Sequence, residues 1–294
     1  MNNRSGLLTF ILFGLLLIVI LLQVLSMVQS DRLYERLNRL IDMDKSMPTS
    51  GKATVGKKAA DENSGDWLVS NLTGEPRTLN PISVDSDSYS NSIVLRNVFE
   101  TLFYYDLDYD GVKLKPVLAE SMETSEDGLE ITVTLKEDIR FSDGAPVTAD
   151  DVIFTYETIM DPGIDAEDLR GYYANITDVI KIDERTVKFL LSEVYWKTVE
   201  SIGVFEVLPK HIYRYDDPAE FNNMRSEPVG SGPYVFEKWD VGQQLVLRRN
   251  ENYWGENPKI KKVVYRFITN TVAGLQALRA GQVDILIPEP DQFG

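Results

Sequence analysis

Residue types able to do chemistry are unevenly supplied. The 294-residue chain has no cysteine and a single histidine, His211, against 46 Asp and Glu. Without cysteine there is no disulfide framework, thiolate metal site, cysteine nucleophile or lipid-modified cysteine. One histidine excludes multi-histidine metal sites and argues against a histidine-based triad, and no partner motif accompanies His211, so it reads as structural. Carboxylate pairs arise by chance at this acidity and none lies in a supporting motif, so no catalytic residue is assigned and the chain is not read as an enzyme. Asp106, Asp108 and Asp110 before Gly111 resemble the opening of a calcium loop. Val117, however, stands at the twelfth position, where a bidentate Glu is required. A hairpin turn is the better reading, and neither metal nor cofactor is assigned. Gly230-Ser231-Gly232-Pro233-Tyr234 is no phosphate loop, because neither Gly-Lys-Ser/Thr nor G-x-G-x-x-G is present. It suits a tight turn or a close backbone approach. What remains is polar recognition, offered by the loop Ser83–Asn91 (SVDSDSYSN).

The elements that must position these groups read as alternating strands and helices, an α/β pattern. Trp67–Leu72 reads as a strand, followed by the breakers Gly74-Glu75-Pro76 and Asn80-Pro81. A helix with Ile93, Val94, Val98, Phe99 and Leu102 on one side follows the polar loop. Phe103–Tyr105 and Gly111–Leu114 flank the hairpin turn. The stretch Pro116–Glu157 is the most patterned: Leu129, Ile131, Val133 and Leu135 alternate with polar residues, the period of a half-buried strand. Glu126-Asp127-Gly128 and Ser142-Asp143-Gly144 are turn chemistry on either side, with a further strand between them. Thr148 before Ala149-Asp150-Asp151 is close to a capping box for a helix carrying Val152, Phe154 and Ile159. Farther on, strands are expected over 178–182, 186–191, 205–208, 235–239, 244–248, 262–268 and 283–286. Helices are expected over 195–204 and over 271–280, the latter with Val272, Leu275 and Leu278 inward. No period of 20–50 residues repeats, so a solenoid or propeller is not expected.

Residues 6–28 carry no charge. As a helix they span about 35 Å at roughly 1.5 Å per residue, and the hydrocarbon core needs about 30 Å. No good small-x-small cleavage site follows, so residues 1–29 read as an uncleaved transmembrane anchor in preference to a cleaved signal peptide. Counting basic residues on the two flanks would put the body inside, although long domains translocate largely regardless of flanking charge. Residues 30–65 read as a short stalk helix, with Leu33, Leu37 and Leu40 spaced as in a coiled coil, and then a flexible linker. Residues 1–65 hold 8 Lys/Arg against 6 Asp/Glu, leaving 22 against 40 in the body, for a net −16 overall. Such a body repels nucleic acid and anionic lipid surfaces, so no nucleic-acid partner is expected.

Several motifs in order resemble the extracellular solute-binding proteins of family 5, the dipeptide-, oligopeptide- and nickel-binding components of ABC importers. They are Pro116–Ser121 (PVLAES), Phe141–Phe154 (FSDGAPVTADDVIF), Leu208-Pro209-Lys210-His211-Ile212, Gly230–Tyr234, Arg249–Gly255 (RNENYWG) and Ala277–Ile285 (ALRAGQVDI). The resemblance covers about residues 66–290. It implies a periplasmic-binding-protein-like α/β lobe over 66–294, with an inserted mixed α+β subdomain at about 88–195, preceded by the transmembrane helix. It also implies a second lobe, which normally follows the Gly-x-Val-Asp-Ile region, so the chain reads as a fragment lacking lobe two. The loop after Asn80-Pro81 and the Gly230–Tyr234 turn would face the ligand cleft, making Asp85, Ser86, Asp87, Ser88, Tyr89, Gly232 and Tyr234 the candidate ligand-binding residues. Asp85 or Asp87 would pair with a ligand amine. A solvated acidic loop before a helix N-terminus explains each of them equally well. The implied function is a membrane-tethered extracytoplasmic binder of peptides or similar small solutes, working with an ABC permease from the periplasmic or extracytoplasmic side of the cell membrane. The alternative is a membrane-anchored sensor or adhesion module that reuses the fold.

Overall fold

The structure is a computed structural model that describes residues 66–108, 111–224 and 227–286. The anchor, stalk and linker expected over 1–65 lie outside the described residues. No helix among the described residues is long and apolar enough to cross a membrane.

Two four-stranded sheets and a hairpin make up the strand content of the described residues. The first sheet has the order β1 (Trp67–Leu72), β10 (Lys262–Phe267), β9 (Gln244–Arg249), β8 (Tyr234–Asp240). β1 runs parallel to β10, with Val69 opposite Val264, and the remaining pairs are antiparallel. A parallel pair needs a crossover, and here residues 73–261 lie between the two strands. The register of β8 on β9 shifts between Phe236 and Lys238, a bulge at Glu237 that re-aims the strand end. The second sheet, β4 (Ala119–Thr124), β5 (Glu130–Leu135), β7 (Thr186–Leu191), β6 (Ile176–Lys181), is antiparallel throughout. β2 (Phe103–Asp108) and β3 (Gly111–Pro116) form the hairpin, with Lys115 paired to Asp106.

The patterned stretch folds as its periodicity demands. Ile131, Val133 and Leu135 of β5 are completely buried, and Val187 and Phe189 of β7 meet them on the same face. Helix α2 (Ala149–Met160) packs on β6 and β7. Asp151 Oδ2 accepts from the Thr148 backbone N–H at 2.8 Å and from its hydroxyl at 2.9 Å, so the helix start is capped by the motif read in the sequence. The strand expected between the turns shrinks to one bridge, Arg140 to Pro146.

Three other expectations change. Helix α1 (Ser88–Val94) ends at Val94, because Leu95 is extended and Arg96 adopts φ 64°. Val98, Phe99 and Leu102 are nevertheless buried, held by a tight loop in which the Arg96 N–H donates to the Phe99 carbonyl. Residues 205–208 bury Phe205, Val207 and Leu208 but form only a single bridge, Glu206 to Thr101. In helix α7 (Thr271–Arg279) the buried positions are Gly274 and Ala277, and Val272 is 61% exposed. Gly274 lies against Asn71 of β1, and that close approach turns the small-residue face inward. Short helices α3 (Glu167–Tyr173), α5 (Lys210–Tyr213) and α6 (Pro218–Asn222) join α4 (Trp196–Gly203) around the core. Residues 283–286 extend the first sheet beyond β1 by one bridge, Ile285 to Ser70.

Candidate functional site

The loop Ser83–Asn91 is built from its own side chains. Asp87 caps α1, its Oδ1 accepting from the Ser90 N–H at 2.8 Å and the Ser90 hydroxyl at 3.0 Å. Ser86 donates to Asn91 at 2.9 Å, and the Ser88 carbonyl accepts from Ser92. Asp85 is exposed and stands 3.9 Å from Arg77. The Tyr89 hydroxyl lies 3.0 Å from that of Thr73, and the Tyr89 ring covers Gly74, where a Cβ would sit 2.2 Å from the ring. Asp85 and Tyr89 therefore adjoin segment 73–77. Gly232 and Tyr234 lie elsewhere, in the core. The Gly232 N–H donates to the Val98 carbonyl at 2.9 Å, and a Cβ on Gly232 would approach the Asn97 carbonyl oxygen to 2.4 Å. Tyr234 is 8% exposed, donates its hydroxyl to the Ile260 carbonyl, and has its pKa raised by burial.

The structure brings together a second set of residues. Segment 75–79 and the β8–β9 hairpin enclose two adjoining recesses of about 320 and 350 Å³ that share Leu79, Trp239 and Val241. Each is within the usual range of a small-molecule site. Glu75 locks the two segments together: its Oε1 accepts from the Trp239 indole N–H at 2.7 Å and from the Gly242 backbone N–H at 2.9 Å. Two donors on one carboxylate fix the indole's orientation, so the floor of the recess is preorganised. Arg77 lines one recess; Glu227, Glu237 and Lys238 line the other. Lys238 is neutralised by Asp240 at 2.6 Å. In the sequence, Gly74-Glu75-Pro76 reads only as a breaker, and residues 240–243 are only the link between the strands expected over 235–239 and 244–248. The exposure of Val241, at 78%, becomes visible only once the hairpin is placed.

The sequence motifs turn out to hold one another. The Asp143 carboxylate meets His211 Nε2 at 2.7 Å, and the His211 ring lies on Phe141 with 5.9 Å between centroids. Buried Asp151 accepts from the Lys210 backbone N–H through Oδ1, and Thr155 accepts from that of Leu208. The Ser142 N–H donates to the Gly230 carbonyl, and Asn250 donates to that of Gly232. Glu100, 5% exposed, receives the Tyr253 hydroxyl at 2.5 Å and the Trp254 indole N–H at 2.9 Å. Burial raises its pKa, partly offset by those two donors and by the charge of Lys136. Lys136 lies over the Trp254 ring at 5.2 Å.

Comparison with known proteins adds a family match, two relatives and two solved structures. A family model described as bacterial extracellular solute-binding proteins, family 5 Middle, matches residues 113–293. Protein XP55 of Streptomyces lividans is 32% identical over 250 residues, covering 84% of this chain and 42% of that protein. The oligopeptide-binding protein AppA of Bacillus subtilis is 30% identical over 263 residues, covering 84% of this chain and 45% of AppA. The structure of AppA in complex with a nonapeptide superposes with a TM-score of 0.67 at 29% identity, over 74% of this chain and 43% of that one. NikZ of Campylobacter jejuni, solved in complex with Ni(L-His), gives 0.66 at 27% identity, over 76% and 43%. The chain thus spans less than half the length of the relatives it matches, and it shares their periplasmic-binding-protein-like α/β fold.

Proposed function

The chain belongs to family 5 of the bacterial extracellular solute-binding proteins, and we propose that it serves an ABC importer as an extracytoplasmic binder of peptides or similar small solutes. The observation that carries this is the preorganised recess between Glu75 and Trp239, in a fold shared with a nonapeptide-binding relative. The solute rests on the apolar floor of Leu79, Trp239 and Val241, and the loop carrying Asp85 and Tyr89 borders it. Backbone pairing with an extended ligand, in the manner of strand addition, supplies affinity without turnover. Residues 88–195 act as the inserted subdomain that braces the lobe, and 6–28 tether the body to the membrane.

The test is a titration of the detergent-solubilised full chain with a defined set of di- to pentapeptides, and separately with Ni(II). It is followed by intrinsic tryptophan fluorescence, with mass spectrometry of the peptides afterwards. A saturable response to intact peptides supports the reading. Cleaved peptides, or saturation by Ni(II) alone, count against it. Retention in the membrane pellet after an alkaline wash supports the tether, and release into the supernatant removes it.

A further inference from the structure

A further cavity of about 270 Å³ shares no lining residue with the two recesses. Arg96, Glu100, Thr101, Tyr104 and Val117 line it, where the loop leaving α1 meets the hairpin of β2 and β3. Its volume falls just under the usual range for drug-sized ligands, so it suits a small one. Arg96 is the strained residue here, since a φ of 64° is a left-handed conformation that glycine or asparagine adopts more readily. The loop imposes it: the Arg96 N–H donates to the Phe99 carbonyl at 2.8 Å, and the Val98 and Phe99 N–H groups share the Val94 carbonyl. No ion pair or hydrogen bond of the guanidinium among the described residues offsets that strain. The guanidinium stacks over the Tyr104 ring instead, 5.6 Å from its centroid. The remaining polar groups of the lining are mostly engaged. Each Glu100 oxygen already accepts a hydrogen bond, and the Thr101 hydroxyl donates to the Phe103 carbonyl. Burial raises the Glu100 pKa, which lessens its negative charge, and Lys136, over the neighbouring Trp254 ring, has no ion pair among the described residues. Two cations without ion pairs thus face one buried, hydrogen-bonded carboxyl. The lining donors left without an acceptor among the described residues are the Arg96 guanidinium and the Tyr104 hydroxyl.

We infer that this cavity is a second ligand site, separate from the recess, for a small monocarboxylate with an apolar body, such as an aryl acid. The acid group pairs with the Arg96 guanidinium, and the apolar body fills the space beside Tyr104 and Val117. Arginine presents a planar fork of donors that matches the two oxygens of a carboxylate, which a point charge does not. The constrained loop and the Tyr104 ring hold the guanidinium at the cavity before a ligand arrives, so little further ordering is needed on binding. An amine of the same shape would meet Arg96 directly and would find both Glu100 oxygens engaged.

Trp254 supplies the readout, because its indole N–H donates to Glu100 of the lining. Its cross-peak in a 1H–15N spectrum of the detergent-solubilised full chain is assigned by selective loss in Trp254→Phe. The probes are phenylacetate, its neutral isostere phenylacetamide, and phenethylammonium, each at millimolar concentration and neutral pH. Phenylacetate is expected to move the Trp254 peak saturably. Phenylacetamide should bind about three- to fivefold more weakly, the value of one exposed ion pair, and phenethylammonium more weakly still. In Arg96→Gly the advantage of the acid over the amide should vanish. That variant is expected to fold, because glycine takes the left-handed backbone without a Cβ clash. Arg96→Lys, which keeps the charge and loses the fork, should retain part of the advantage. The inference is overturned if the amide or the ammonium binds as tightly as the acid to the unaltered chain. It is overturned equally if the preference for the acid persists in Arg96→Gly, or if no probe moves the Trp254 peak. None of these results bears on the recess, so the solute-binding reading stands or falls separately.

Discussion

Replacing Tyr253 by phenylalanine removes one hydroxyl from the buried carboxylate of Glu100 and leaves the ring to fill the same space. Glu100 is 5% exposed and takes hydrogen bonds from the Tyr253 hydroxyl at 2.5 Å and the Trp254 indole N–H at 2.9 Å. Hydrogen bonds to a charged group contribute about 1.5–3 kcal/mol, against about 0.5–1.5 kcal/mol between neutral partners. Burial raises the folded-state pKa of Glu100 above its unfolded value. The folded state therefore binds the proton more tightly, and the stability associated with this group is fully present below the unfolded value. It is lost as pH rises through the folded one. Tyr253→Phe should cost about 1.5–3 kcal/mol at pH 8.5, a fall of about 3–12 °C in Tm at roughly 2–4 °C per kcal/mol for a body of this size. At pH 5.5, with the carboxyl more protonated, the loss should be smaller. Glu100→Gln offers a check in the other direction. Its amide oxygen accepts from Trp254 and its amide N–H donates to the Tyr253 oxygen, so the network survives and the pH slope flattens. Urea denaturation of the three proteins at both pH values, followed by tryptophan fluorescence, decides the matter. Equal losses for Tyr253→Phe at the two pH values, or a loss below about 0.5 kcal/mol at pH 8.5, would refute the reasoning.

Gly232→Ala should destabilise by about 1–3 kcal/mol or more, because the new Cβ would lie 2.4 Å from the Asn97 carbonyl oxygen, which cannot swing away. Gly171→Ala, in a helix where a Cβ meets nothing within 4 Å, should instead stabilise by about 0.5–1 kcal/mol; thermal melts showing the two variants alike would contradict the packing argument. At Asp143, burial acts to raise the pKa, but the hydrogen bonds from His211 and the Ala145 N–H, with the His211 charge, outweigh it and the net shift is downward. Its stabilisation is thus present above the unfolded carboxylate value and lost as pH falls through the lower folded one. Asp143→Asn should accordingly flatten the acid limb of the stability curve below about pH 4, and acid-unfolding curves that run parallel for the two proteins would exclude that role.

Where neighbours in sequence carry the information, the fold was legible. The alternation of Ile131, Val133 and Leu135, the turns at Gly128 and Gly144, the cap made by Thr148 and Asp151, and the hairpins around residues 183–185 and 241–243 all follow from backbone preference and a period of two. The exceptions are equally physical. Val98, Phe99 and Leu102 are apolar at helical spacing, yet a left-handed Arg96 breaks the helix and a loop buries them by another route. Burial can be read from residue type; the path of the chain that achieves it is set by packing.

The sequence by itself determined the acidic body, the absence of thiol and multi-histidine chemistry, the local elements, and the motifs that mark the family. Only the tertiary structure decided what those motifs do. Several proved to be half of a contact whose other half lies far along the chain: Asp143 with His211, Asp151 with Lys210, and Tyr253 and Trp254 with Glu100. The recess depends on the same kind of closure, since Glu75 and Trp239 are 164 residues apart and meet where the chain leaving β1 reaches β8 of the same sheet. A hydrogen bond depends on distance and angle in space, and separation in sequence records neither.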